Sequence, residues 1–142
     1  MKKYISIALA YATAAMGAGV FYREFTKWNG FAGVTALGKV HAHLFLLGMM
    51  VFLLVALFAQ RLELSRQRGF RIFMTLYNIG VPLTALMMTV RGVTQVLAFT
   101  LPVGADAAIS GLAGCGHILA GTGLVMLLLT LRKAADAAGT AA

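Results

Sequence analysis

Acidic side chains are scarce here, four Asp and Glu in 142 residues against 12 Lys and Arg. Charged residues of either sign reach only 11%, where an average soluble chain carries roughly 25%. Because 61% of the residues are hydrophobic, a soluble domain of this size has too little interior to hide its apolar surface. That excludes a water-soluble fold and makes the lipid bilayer the solvent. Cysteine is nearly absent as well. The lone Cys115 rules out an intramolecular disulfide, a cysteine-ligated iron–sulfur cluster and a covalent C-x-x-C-H haem site. A metal or cofactor would have to use His, Met, carboxylate or backbone ligands. No nucleic-acid motif is present, and the formal charge of +8 lies in short connecting segments, where it reports membrane orientation or touches anionic lipid headgroups.

What remains is long apolar runs. A helix needs about 20 mostly apolar residues to cross the hydrocarbon, and four segments qualify, at about residues 4–22, 37–60, 72–100 and 107–131. The first has the layout of a signal peptide, with Lys2 and Lys3, an apolar run and small residues around Ala12–Ala15, and is counted as a span. Pro82 inside the third predicts tilt or a kink. The fold class is therefore all-α, one transmembrane four-helix bundle over residues 1–133, with a disordered tail at 134–142. Lys2, Lys3, Arg61, Arg66, Arg68, Arg71, Arg132 and Lys133 fall on one side of such a bundle. The positive-inside rule then puts both termini in the cytoplasm, in a bacterial inner membrane.

Ionisable side chains within spans are costly and usually functional. Here they are His41, His43, Arg91 and His117, all predicted in the outer half of the bilayer at similar depth. His41 and His43 stand about 200° apart on their helix and cannot face one centre. His41 shares a face with Gly38, Phe45 and Gly48, and His43 with Leu47 and Met50. On the fourth helix Ser110, Gly114, His117 and Gly121 align in one stripe. Such a stripe either lets two helices pack closely or leaves room for a flat macrocycle beside a ligating histidine. The histidines themselves can be helix-bridging hydrogen-bond donors or metal ligands. Arg91 can pair with Glu24 or helix carbonyls, or with an anion such as a haem propionate, and Gln95 one turn further adds a donor. Zinc would want three or four converging ligands, and no span holds a carboxylate. Two axial imidazoles on haem iron need only one His from each of two helices, so haem b fits this inventory best. Cys115 falls on the face opposite His117 and reads as a small packing residue.

The run HAHLFLLG at His41–Gly48 resembles the haem-ligand segment in the membrane subunit of the haem–copper oxidase and nitric oxide reductase superfamily. The whole chain, through FYREFTKWNGF, HAHLFLLGMM and GHILAGTG, resembles a bacterial family of small four-helix membrane proteins of unknown function. The oxidase resemblance implies a haem ligand at His41 or His43, with His117 opposite. Copper-site histidines and a tyrosine beside them are missing, so oxygen reduction is not implied. Oxidase cores resemble three four-helix units about a pseudo-threefold axis, and a homotrimer of this chain would reproduce that layout, a dimer being the alternative oligomer.

The leading expectation is thus haem b held by His117 and His41, with His43 as the other choice for the second ligand. His41 is preferred for the glycines on its face. Arg91 and Arg23 would neutralise propionates, and Gly48, Gly114 and Gly121 would make room. The role would be electron transfer with an unidentified redox partner, or redox or gas sensing, and no residue is assigned to catalysis. The alternatives are a non-haem transporter or channel with a polar path, and a structural subunit whose polar residues glue helices.

Overall fold

The computed structural model describes residues 1–139 and is helical throughout its ordered elements. Four helices are long and apolar enough to cross a membrane. They are α1 (Lys2–Trp28), α2 (Leu37–Phe58), α3 (Arg68–Val96) and α4 (Val103–Gly139). A short 3₁₀ turn, Leu64–Arg66, lies between α2 and α3. Pro82 sits within α3 without ending it. Large side chains such as Leu9, Val20, Leu46, Leu57, Ile79 and Leu86 point outward, as expected where lipid replaces water around the bundle.

Helix boundaries depart from the sequence expectation for identifiable reasons. α1 ends where Gly30 adopts φ 60°, with the Phe31 N–H bonded to the Thr26 carbonyl at 2.9 Å. α3 stops at Val96, short of the expected residue 100, because Ala98 turns to φ 50° and the Phe99 N–H reaches back to the Thr94 carbonyl at 3.0 Å. Both ends are Schellman-type caps. α4 runs on as helix to Gly139 where a disordered tail was expected from 134. Ala134 is buried in the same cluster as Leu64 and Phe70, which gives the extension something to pack on. The remainder of that expected tail, 140–142, lies outside the described residues.

The helices run up and down, and the start of α1 and the end of α4 share one end of the bundle with the loop at 59–67. Tyr4 meets Phe70 edge-on at 5.7 Å at that end. From there an aromatic chain rises through the core. Phe70 packs on Phe73, Phe73 on Tyr77 at 5.1 Å, and Phe52 on Tyr77, Phe73 and the stacked ring of Tyr11. This terminal half is filled by large rings from α1, α2 and α3. All eight bases that the sequence assigns to one side gather here. At the far end the core narrows to Ala15, Val40, Leu44 and Ala85, and smaller side chains let polar groups enter.

α3 and α4 form the tightest pair. A Cβ on Gly80 would come within 2.4 Å of the Ala120 backbone nitrogen, and one on Gly116 within 2.9 Å of the Thr84 nitrogen. Only hydrogen fits at either position. Such close approach gives extensive dispersion contact, the main attraction available between helices in lipid.

Two stability effects follow. Ala98 holds a left-handed conformation that costs an L-residue about 1–2 kcal/mol, so Ala98→Gly should stabilise the fold by about 1 kcal/mol, read as a higher melting temperature in detergent. Gly80→Ala should destabilise it by about 1–3 kcal/mol through overpacking against backbone, measured in the same assay.

Candidate functional site

The far half of the bundle holds the ionisable groups, and polar cross-links fix their surroundings. The Thr35 hydroxyl donates to the Gly92 carbonyl at 3.0 Å, and the Ala36 N–H donates to Gln95 Oε1 at 2.8 Å. These two bonds pin the start of α2 to the last turns of α3. A Cβ on Gly92 would strike the Leu37 backbone nitrogen at 2.5 Å, so the two segments are in backbone contact. The height at which α2 presents its histidines is set by this join.

His41 turns towards α1. Its side chain lies over Gly19, and its Nδ1 is buried with no hydrogen-bond partner. The glycines expected to open a cradle on this face are occupied by α1 instead. The Tyr22 ring covers Gly38, and the Tyr11 ring sits directly on Gly48. The face grouping read from the sequence holds, but its purpose is knob-into-hole packing of tyrosines. Gly48 therefore offers no space to a macrocycle, and the preference for His41 loses its physical basis.

His43 points the other way and meets His117. Their ring centroids are 6.3 Å apart with planes at 87°. His43 Nδ1–H donates to the Lys39 carbonyl at 2.9 Å, and His117 Nδ1–H donates to the Ala113 carbonyl at 2.8 Å. Each bond fixes the tautomer that leaves Nε2 with a free lone pair, the state in which histidine binds metals. The two rings border a cavity of about 420 Å³ that also touches Lys39, Met88, Gln95 and Thr35. Met88 brings a thioether to the same space.

α4 carries two small-residue stripes on different faces. Gly116, Ala120 and Gly123 pack against Thr84, Gly80 and Tyr77 of α3. The stripe of Ser110, Gly114, His117 and Gly121 is exposed, and a Cβ on Gly114 or Gly121 would meet nothing within 4 Å. Close helix packing within the chain thus uses the first stripe and leaves the second open. Gly114→Leu should accordingly be tolerated, within about 0.5 kcal/mol as for most surface substitutions. Gly116→Leu should abolish folding, with thermal stability in detergent as the check.

Arg91 is already engaged. Its guanidinium lies 3.0 Å from the Asp106 carboxylate, and donates to the Asp106 carbonyl at 3.2 Å and to Ser110 Oγ at 2.7 Å. The partner is Asp106, not Glu24, and the group ties α3 to the first turns of α4. Ser110 precedes His117 by seven residues, so this clasp sits roughly 10 Å along α4 from the imidazole pair. Arg23, exposed near the end of α1, lies 3.6 Å from Glu24. Cys115 is exposed. Among the described residues no group of three or more His, Cys, Asp and Glu gathers around one point.

The sequence signalled both histidines of the pair and the Arg91–Gln95 turn. It gave no sign of the Lys39 and Ala113 carbonyls that orient the rings, nor of the Thr35–Gly92 join, because side-chain bonds to backbone have no residue-specific partner.

Helices of this length, the basic end and the polar pair in the far half define a small multi-pass helical membrane protein. Over residues 1–134 the chain matches the family described as protein of unknown function DUF2871, and it belongs to that family. No curated protein and no solved structure matches it.

Proposed function

We propose that this chain binds haem b through His43 and His117. The observation that carries the reading is the imidazole pair, one ring from each of two helices with both Nε2 lone pairs free. Metal–imidazole bonds are about 2.0–2.1 Å for zinc. The 6.3 Å between the ring centroids leaves room for one metal ion bonded to both rings. The open surface of Gly114 and Gly121 beside His117 leaves room for a flat ring, and Lys39 at the cavity rim is a cation for a propionate. The haem–copper oxidase resemblance of the HAHLFLLG run points to the same cofactor, with His43 as the ligand of the HxH pair. Bound haem would supply a one-electron couple or a site for a diatomic gas. Electron transfer or redox sensing is the function that a His–His pair supports.

The positive-inside rule, applied to the basic end, supports an orientation with both termini in the cytoplasm and the haem in the outer half of a bacterial inner membrane. A free imidazole facing lipid is costly. A homotrimer that encloses the exposed stripe of α4 removes that cost and would bury the cofactor between copies.

The test is the optical spectrum of the purified protein, oxidised and reduced. His43→Ala and His117→Ala should each lose the sharp reduced α and β bands, and His41→Ala should keep them. Unchanged haem content in His117→Ala, or a colourless wild type expressed with added haem, would overturn the reading.

The clasp of Arg91, Asp106 and Ser110 favours a second, structural role for that arginine. Arg91→Ala should lower the melting temperature while the haem spectrum of the folded fraction stays the same. A loss of haem at unchanged stability would instead give Arg91 the propionate role.

A further inference from the structure

At the opposite end of the bundle, the first turn of α3 and the last turns of α4 border a cleft of about 550 Å³. We propose that this cleft holds one anionic phospholipid. Its two ends differ in chemistry. Arg68 and Lys133 stand exposed at the mouth beside Gln67, together with Arg66, which is paired with Glu63 at 3.0 Å. Met126 and Leu129 line its part nearer the middle of α4, and Leu129 is 54% exposed. Met126 precedes Lys133 by seven residues, so the apolar part reaches roughly 10 Å further along α4. A phosphate held at the cationic mouth would therefore leave its acyl chain lying along Met126 and Leu129.

The choice of occupant follows from that division. A soluble phosphate or a polyanion uses the basic mouth and leaves the apolar groove bare. A neutral lipid fills the groove but gains nothing from Arg68 and Lys133. An anionic phospholipid matches both, and the cleft sits where a span meets its charged flank, at the depth of headgroups. Eight bases against Glu63 and Asp136 at this end raise the local anion concentration. The cleft shares no residue with the imidazole pair, so the proposal is independent of haem binding.

The experiment is native mass spectrometry of the whole detergent-solubilised protein, titrated with phosphatidylglycerol or with phosphatidylcholine. The wild type should carry one tightly held phosphatidylglycerol per chain and bind phosphatidylcholine much more weakly. Arg68→Gln with Lys133→Gln should weaken phosphatidylglycerol binding by about tenfold or more, a loss of at least about 1.4 kcal/mol. Arg61→Gln with Arg132→Gln removes the same charge from the same end, outside the cleft, and should cost less than about threefold. Leu129→Trp, which fills the groove without changing charge, should also release the lipid. Equal losses in the two charge variants would reduce the effect to diffuse attraction and overturn the proposal. So would equal binding of the two lipids, an unaffected Leu129→Trp, or displacement of the lipid by millimolar glycerol phosphate. Should the Arg68 and Lys133 double variant fail to fold, the lipid comparison and Leu129→Trp still decide.

Discussion

Backbone contact between α3 and α4 is the constraint on which the other features of this bundle rest. In lipid, apolar side chains gain nothing by leaving their solvent for a neighbouring helix, so helices must be held by close van der Waals contact and by polar bonds. Gly80 and Gly116 give that contact, and they fix the rotation of α4 about its own axis. With Gly116, Ala120 and Gly123 turned to α3, His117 and the stripe around it have to face outwards. A rotation that turned His117 onto α3 would put its imidazole where Gly116 now stands and only hydrogen fits, and Leu124 where Gly123 stands. The exposed imidazole is therefore a consequence of how the pair packs, and it persists whatever covers it.

The second imidazole reaches the same place by a different route. α2 is held against α1 by tyrosine rings seated on Gly38 and Gly48, and against α3 by the Thr35 and Gln95 bonds and the contact of Leu37 with Gly92. With α1 on one side of α2, the two histidines of the HxH run separate. One is pressed against Gly19, and the other is left facing the groove over α3. After His43 the helix widens into a π segment, Leu44–Met50, a feature that often accompanies functional sites. Its physical setting here is the Tyr11 ring, which occupies the space above Gly48.

Much of this was legible in the residues. Apolar run length and the placement of bases gave four spans with the termini at one end, because the hydrocarbon thickness and the cost of burying charge leave few other solutions. Helical periodicity correctly separated the faces of His41 and His43 and aligned Gly114, His117 and Gly121. What periodicity cannot say is which neighbour a face meets. A glycine-bearing face reads identically whether an aromatic ring or a cofactor fills it, and the tyrosines that settle the matter for Gly38 and Gly48 lie between 16 and 37 residues away along the chain. Of the partners expected for Arg91, a helix carbonyl is found and Glu24 is not, and the carboxylate it pairs with is Asp106. The fourth span was expected to begin at 107, which leaves Asp106 outside it, yet α4 begins at Val103 and carries Asp106 into reach of the guanidinium. The extension of α4 beyond Lys133 depends on Leu64 and Phe70, residues of another loop and helix, and so left no trace in the Ala-rich tail itself.

The balance between a packing and a ligating role for the histidines turns on what each ring nitrogen does. A histidine that served to glue helices would spend its Nδ1–H on a neighbouring helix, and such a bond is absent for both His43 and His117, which spend it on carbonyls four residues back in their own helices. These local bonds contribute nothing to holding α2 near α4. They orient two rings and leave both Nε2 lone pairs uncommitted, in a region where an unsatisfied polar atom costs more than it does in water. Gluing histidines would relieve that cost with a direct bond. A bond between the two rings cannot do so, since neither Nε2 has a proton to give. A group that takes up both lone pairs would satisfy them together, and the haem iron of the proposed function is such a group.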